Sequence, residues 1–276
     1  MNPRESTAMT TETARAAAAR HDFALAVARA AGETALGFFN ARDALVIEQK
    51  SGAQDLVSQA DREVELLIRA RIAQAFPEDG VIGEEHDPVP SRSGYTWVVD
   101  PIDGTSPFLN GQPNWCVSIG VRGPDGLVAG VIEAPVLRET YAALAGQGAV
   151  LNGRPLRIDP ATALTSANIG FGATQKTPAA EAAAFVRGLY EEGGVLFRNG
   201  SGALMLAYVA AGRLAGYYDP GLNAWDCYAG LLLVHEAGGV AEYLGSDDML
   251  TGGLLHAGTP AVVADLRRLG EASRRG

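Results

Sequence analysis

The amino-acid sequence predicts an α/β (α+β) protein built in two halves, residues 1–153 and 154–276. Three patterns lead to this prediction. Apolar residues recur at helical spacing over residues 11–40, which is typical of an amphipathic helix. Short apolar runs bounded by glycine and proline then follow up to residue 151, and they indicate antiparallel strands. Beyond residue 165, strand and helix patterns alternate, which favours an α/β layer.

In the first half, a strand is predicted at residues 46–50, followed by a helix that starts after Asp61 and carries Val64 and Ile68 on its apolar side. A brief strand at 81–82 comes next. Further strands are predicted at 97–99, 115–121, 128–132, 139–144 and 149–151. We therefore expect a helix pair packed on an antiparallel-rich sheet.

In the second half, apolar runs predict strands at residues 167–170, 194–198 and 214–218, and helical spacing predicts helices at 178–191, 203–211 and 225–237. Gly238 and Gly239 are expected to end the last helix in a left-handed turn. Glu236, near that end, is interpreted as a structural residue.

Composition limits the classes of function. With 276 residues and 47% hydrophobic content, the chain can bury a large core in one large domain or two tightly joined halves. A formal net charge of -10 argues against a broad basic surface, so we expect no nucleic-acid partner. The same charge would repel a phosphate ester, and binding one would require local cations.

Only two cysteines and four scattered histidines are present, so the sequence favours neither a disulfide framework nor a zinc site. No apolar run approaches the length of a membrane span, and the polar start of the chain lacks the apolar core of a signal peptide. We therefore expect a cytoplasmic protein with no membrane partner.

The most informative stretch is residues 97–105, a short apolar run that ends in two aspartates, Asp100 and Asp103. Proline and glycine follow Asp100, and they predict that the strand stops there. Carboxylates this close repel each other unless a cation or a hydrogen-bond donor holds the charge. Mg2+ accepts carboxylate and carbonyl oxygens, and the carbonyl of Ile102 lies between the two acids.

A helix can begin after Thr105, because Pro107 is tolerated in a first turn. Its free N–H groups would face an anion beside the metal. The alternative interpretation is a strand followed by an ordinary turn, since Asp, Pro and Gly are common turn residues.

Four segments together resemble the signature motifs of the inositol monophosphatase family. They are Gly83-Glu84-Glu85, Asp100-Pro101-Ile102-Asp103-Gly104-Thr105, Trp225-Asp226 and Glu236-Ala237-Gly238-Gly239, and the resemblance spans roughly residues 22 to 265. It implies a layered α/β/α/β/α sandwich of the inositol monophosphatase/fructose-1,6-bisphosphatase type. It also implies a Mg2+-dependent, lithium-sensitive phosphatase, which as a family expectation would be a homodimer.

The resemblance further implies the metal ligands. Two or three Mg2+ ions would be held by Glu84, Asp100, the Ile102 carbonyl, Asp103 and Asp226. Of the adjacent acids Glu84 and Glu85, only one is expected to enter the site, because neighbouring side chains of an extended segment point to opposite faces.

Catalytic roles are implied in the same way. Thr105, held near Glu84, would orient and deprotonate the attacking water, and Asp61 would help to place the outer metal ion and that water. Lys50 precedes Asp61 by the eleven residues typical of the family. Backbone N–H groups of Gly104 and Thr105 would bind phosphate oxygens. Other interpretations are a helix-dipole charge for Asp61, a solvated charge for Lys50 and a helix cap for Thr105.

The implied substrate contacts are Asp103, Gly200, Ser201, Gly202, Asp219 and Asp226. Asp219 stands where a glutamate is common, and Ser106-Pro107-Phe108 replaces the usual Thr-Asn-Phe, so inositol itself is in doubt. The resemblance favours an inositol-1-phosphatase-like activity on a small phosphorylated metabolite. Histidinol phosphate and a 3'(2'),5'-bisphosphate nucleotide are alternatives, the latter if Arg198 meets a second anion. A non-catalytic regulatory or binding scaffold is the alternative from another class.

Overall fold

The computed structural model describes residues 11–42, 47–52 and 55–275, with backbone only for 47–52 and 55–58. The described helices are α1 (Thr11–Asn40), α2 (Gln59–Ala75), α3 (Thr105–Leu109), α4 (Ala179–Glu191), α5 (Gly202–Ala210), α6 (Ala224–Glu236) and α7 (Pro260–Arg275). The described strands are β1 (Ile47–Gly52), β2 (Asp55–Ser58), β3 (Gly80–Gly83), β4 (Thr96–Asp103), β5 (Cys116–Gly123), β6 (Gly126–Ala134), β7 (Glu139–Leu144), β8 (Gly148–Leu151), β9 (Arg154–Pro155), β10 (Ile169–Phe171), β11 (Leu196–Phe197), β12 (Gly216–Leu222), β13 (Val240–Leu244) and β14 (Gly253–Gly258).

In the described part of the chain, two large sheets and three helix pairs form five layers. The seven-stranded sheet has the order β3-β4-β5-β6-β7-β8-β9, and the five-stranded sheet has the order β11-β10-β12-β14-β13. Helices α1 and α2 cover the outer face of the first sheet, α5 and α6 lie between the sheets, and α4 and α7 cover the outer face of the second. The expected α/β/α/β/α sandwich is therefore confirmed.

Helix α6 packs closely on the first sheet, because that sheet presents glycines where the helix crosses it. A Cβ at Gly120 would lie 2.8 Å from the Cβ of Tyr228, and a Cβ at Gly130 would lie 2.6 Å from the carbonyl oxygen of Ala229. A side chain at either position would push α6 away from β5 and β6. This close approach brings the first turn of α6, which carries Asp226, to the edge of β4.

The predicted end of the strand at residue 99 is wrong, because β4 continues through Pro101 to Asp103. Opposite β5, Asp100 pairs with Ser118 and Asp103 pairs with Cys116, so β4 carries one extra residue in this step. Such a bulge interrupts the ladder, and a proline without an N–H is tolerated there. Asp100 and Asp103 are therefore held inside the sheet and not in a loop beyond it.

Other boundaries also differ from the prediction. Helix α2 begins at Gln59 and so includes Asp61 in its first turn. The short strand β9 and the C-terminal elements β13, β14 and α7 were not predicted. Glu236 accepts hydrogen bonds from the backbone N–H groups of Gly146 and Gly148, at 2.7 Å each, so it fixes the turn between β7 and β8 as a structural residue. The division at residue 153 stays a prediction.

Among the described residues, no helix is both long enough and apolar enough to cross a bilayer.

His256, on β14 of the second sheet, is a buried histidine whose ring forms no hydrogen bond within the described residues. Its side chain is 1% exposed. The ring stacks on Tyr218 with centroids 5.3 Å apart. Burial lowers the pKa of His256 to about 4; Glu242 and Glu271 oppose this shift, and Arg267 and Arg274 reinforce it. The imidazole is therefore neutral in the folded protein at neutral pH.

We expect the wild type to lose stability as pH falls from 6.5 towards 4, because in that window the unfolded chain binds a proton that the folded His256 does not. The contribution is at most about 3 kcal/mol. His256→Phe, which keeps a stacking ring, should show a shallower pH dependence of the free energy of unfolding in urea. The control is His235→Phe, at an exposed position of α6. Equal slopes for His256→Phe and the wild type would contradict this expectation.

Candidate metal centre and active site

Three carboxylates from distant parts of the chain meet at one point. Glu84 follows β3, Asp100 lies in β4, and Asp226 lies in the first turn of α6. One oxygen from each lies within 4.8 Å of the other two. Oxygens around a single octahedral Mg2+ lie up to about 4 Å apart, so this spacing is close to that of a shared cation.

The electrostatics of this cluster favour a bound cation. Asp100 is 1% exposed, and burial together with the charges of Glu84, Asp103 and Asp226 raises its pKa well above the usual range. Burial also raises the pKa of Asp226. Without a cation, the cluster must take up a proton to limit this repulsion. A divalent ion would offset the same repulsion, and oxygen donors are the ligands that Mg2+ prefers.

Asp226 is oriented by the start of its own helix. The backbone N–H and the side-chain amide of Asn223 both donate to Asp226 Oδ2, at 3.2 Å. These two hydrogen bonds orient the side chain of Asp226. Ser118 adds a second support, because its hydroxyl donates to the carbonyl oxygen of Trp225 at 3.0 Å and ties the start of α6 to β5.

Asp103 lies beside the cluster but is not one of the three converging carboxylates. Its Oδ2 accepts hydrogen bonds of 2.6 Å from the Ser201 hydroxyl and from the Ala203 N–H, and its Oδ1 accepts one of 3.2 Å from the Gly202 N–H. Burial and the charge of Asp226 raise its pKa to about 7, against these donors. Asp103 thus faces the start of α5, and its predicted role as a metal ligand stays a prediction.

Thr105 forms a pair with Asp61. Its hydroxyl donates to Asp61 Oδ1 at 3.2 Å and lies 3.4 Å from the carbonyl oxygen of Ile102. Asp61 is 1% exposed, so the carboxylate is not merely a surface charge at the start of α2. The predicted proximity of Thr105 to Glu84 stays a prediction. The side chain of Lys50 lies outside the described residues.

Gly104 allows the chain to turn from β4 directly into α3. Its φ of 97° is in the left-handed region, and a Cβ there would lie 2.8 Å from the carbonyl oxygen of Asn114. Pro107 is buried in the single turn of α3, as predicted, and a Cβ at Gly200 would lie 2.8 Å from its ring. Pro107 therefore packs α3 against Gly200, just before the start of α5.

Asp219 lies on β12, at the rim of a cavity of about 450 Å3 that Lys176 and Arg274 also line. The carboxylate accepts hydrogen bonds from the Tyr217 hydroxyl at 2.6 Å and from the Gly221 N–H at 2.9 Å. Burial raises the pKa of Asp219 to about 7, while the nearby Arg198 charge opposes this shift. Asp219 is therefore a buried acceptor facing a space that a small ligand could occupy.

Sequence reasoning missed a polar network behind Glu84. Glu65, on α2, accepts hydrogen bonds from the Glu85 N–H and from Arg69, and it contacts His86. The signal was available in part, since Glu65 and Arg69 are four residues apart and form a typical helical ion pair. Their contact with residues 85–87 could not be predicted from the helix alone.

The chain is similar to known proteins in both sequence and fold. The sequence pattern of the inositol monophosphatase family matches residues 18–270. An inositol-1-monophosphatase from Mesorhizobium japonicum is 42% identical over 76% of this chain and 81% of its own. A Nus factor SuhB from Haemophilus influenzae is 35% identical over 89% of this chain and 93% of its own. The crystal structure of the suppressor protein suhB from Bartonella henselae superposes with a TM-score of 0.85 at 32% identity, covering 92% of this chain and 98% of that one.

Ser201→Ala should destabilise the fold by about 1–3 kcal/mol, because the hydroxyl both donates to Asp103 and accepts from the Leu204 N–H as the cap of α5. Urea unfolding measures the change. The control is Ser106→Ala, at an exposed position of α3, which should change stability by less than about 0.5 kcal/mol. If Ser201→Ala lowers the free energy of unfolding by no more than Ser106→Ala does, the hydrogen bonds of Ser201 do not stabilise the fold.

Proposed function

Because the chain belongs to the inositol monophosphatase family, we propose that it is a Mg2+-dependent phosphomonoester hydrolase of the inositol-1-phosphatase type. The observation that carries the proposal is the convergence of the half-buried Glu84 and Asp226 on the buried Asp100. The naming of a relative as an inositol-1-monophosphatase gives further support.

The three converging carboxylates would hold Mg2+. Burial raises the pKa of Asp100 and of Asp226, and a bound cation would offset the repulsion between these groups. Asp103 and the Ile102 carbonyl would complete a set for two or three ions. Bound Mg2+ supplies charge neutralisation for the phosphate and lowers the pKa of a coordinated water. Lithium sensitivity would follow from this same set of ligands.

The protein groups beside the cluster would orient the attacking water. The Thr105 hydroxyl donates to Asp61, so its oxygen is free to accept a hydrogen bond from that water. A proton removed from the water can pass through the hydroxyl to the Asp61 carboxylate. Backbone N–H groups of Gly104 and Thr105 would bind phosphate oxygens. Lys50 would add positive charge beside Asp61.

The alcohol part of the substrate would lie between residues 200–202 and Asp219, with Asp103 and Asp226 at its phosphate end. Asp219 would accept a hydrogen bond from a hydroxyl of a polyol such as inositol. Arg198 and Lys176 are exposed cations whose charges act on Asp219 and Asp226, so they favour a substrate with a second anionic group. For this reason a bisphosphate nucleotide stays an alternative beside histidinol phosphate.

A second candidate function is a non-catalytic binding or regulatory role on the same fold, which the relatives named Nus factor SuhB favour. In that case a macromolecular partner would replace the small phosphorylated metabolite, and the expectation of no nucleic acid would need revision. Metal binding without turnover of any tested ester would support this role. We expect a homodimer in either case.

Asp100→Asn should lower kcat/KM for the Mg2+-dependent release of phosphate from inositol-1-phosphate by at least about 100-fold. The variant loses a ligand charge but also loses buried repulsion, so without metal it should be at least as stable as the wild type. Mg2+ should raise the Tm of the wild type and not that of the variant.

The control is Asp125→Asn, at an exposed position of the turn between β5 and β6, which should behave as the wild type. Full activity of Asp100→Asn would refute the proposed metal centre.

Asp219→Asn should lower kcat/KM for inositol-1-phosphate by about 10-fold, through loss of a charged acceptor for a substrate hydroxyl. It should leave p-nitrophenyl phosphate, which has no such hydroxyl, nearly unaffected. Steady-state phosphate release with both substrates measures the ratio. An equal loss on both would place Asp219 in the reaction itself and not in substrate recognition.

A further inference from the structure

Glu65 is an acidic residue that has no role in the reaction proposed above. It lies on the inner side of α2 and is fully buried. A buried carboxylate costs free energy unless it is paired and hydrogen-bonded. The partners of Glu65 therefore indicate what the residue does.

All of these partners lie on α2 or in the segment that follows β3. Oε1 accepts a hydrogen bond of 2.7 Å from Arg69 Nε and lies 3.3 Å from His86 Nδ1. Oε2 accepts a hydrogen bond of 2.8 Å from the Glu85 N–H. The Arg69 guanidinium donates to the carbonyl oxygens of His86 and Asp87, at 2.9 and 3.0 Å. Glu65 and Arg69 together form hydrogen bonds with the backbone of three consecutive residues, 85–87.

The contact extends to the other side of Glu84. A Cβ at Gly83 would collide with the carboxylate of Glu65, so the end of β3 passes directly over it. Glu84 thus lies between a residue in contact with Glu65 and a residue hydrogen-bonded to it. Glu84 and Glu85 lie in a bend after the end of β3, and the Glu84 carboxylate is the one that meets Asp100 and Asp226. A change in the backbone direction of this bend would turn Glu84 away from those two residues.

We infer that Glu65, supported by Arg69, is a positioning residue for the metal centre. It fixes the backbone on both sides of Glu84, so that the Glu84 carboxylate and not that of Glu85 faces the other two. The inference rests on the proposed function, because it assigns to Glu65 the alignment of a ligand for the proposed metal ion. Residues that orient metal ligands commonly change metal affinity by about 10- to 100-fold when they are replaced.

The test measures metal binding directly, on the full chain, with Mn2+ alone as the probe. Free Mn2+ is counted by its electron paramagnetic resonance signal. Glu65→Gln keeps an acceptor for the Glu85 N–H but loses the charge that holds Arg69 and faces His86. We expect a Kd for Mn2+ about 10-fold above that of the wild type. The Mg2+ concentration for half-maximal phosphate release should rise in parallel, while kcat at saturating Mg2+ is largely restored.

Arg69→Lys is the second variant, because it retains the positive charge and cannot bridge both carbonyl groups as a guanidinium does. It decides the question if Glu65→Gln fails to fold. We expect a rise in the Kd for Mn2+ in the same direction. The matched controls are Glu63→Gln and Arg71→Lys, at exposed positions of the same helix, and both should bind Mn2+ as the wild type does.

The outcomes separate this inference from the proposed function. Folded Glu65→Gln and Arg69→Lys variants with a Kd for Mn2+ within about twofold of the wild type would overturn the inference alone. A lower Tm with an unchanged Kd would likewise show a merely structural role. A wild type that neither binds Mn2+ nor hydrolyses a phosphate ester would overturn the proposed function and the inference with it.

Discussion

Repulsion between buried and half-buried like charges is the constraint on which this structure depends. Glu84, Asp100 and Asp226 would separate in an unconstrained chain, and burial makes their repulsion stronger. Each acid is held in place by the element that carries it. Glu84 follows the end of β3, which is contacted from α2. Asp100 lies in the bulged strand β4, and Asp226 lies in the capped first turn of α6. Packing and backbone hydrogen bonds elsewhere must offset the cost of bringing the acids together.

The middle layer of the sandwich connects the two parts of the site. Helices α5 and α6 lie between the sheets, and their first turns point towards the bulge of β4. The start of α5 binds Asp103 through two backbone N–H groups and the Ser201 hydroxyl, whereas the start of α6 presents Asp226 to Asp100. The start of α5 thus stabilises the charge of one carboxylate through hydrogen bonds, and the start of α6 adds a second carboxylate nearby.

The sequence predicted the elements whose patterns are local and the acids that stand in recognisable motifs. The extension of β4 through Pro101 could not be predicted, because it depends on the partner strand absorbing an extra residue. The pairing of Thr105 with Asp61 joins residues far apart in sequence and likewise follows from the packing of α2 on the sheet. Helix α7 was missed although Val262, Leu266 and Leu269 follow helical spacing, and its signal was therefore available.

Gly120 and Gly130 set the distance between the first sheet and α6, and this distance determines where Asp226 lies. Because the backbone of Gly130 lies against Ala229, even one added methyl group would displace the helix three residues after Asp226. A small steric change on the far side of the layer would then alter the spacing of charged oxygens without touching any of them. The tolerance of residues 120 and 130 to substitution is therefore limited by the position of α6, although neither residue contributes an oxygen to the cluster.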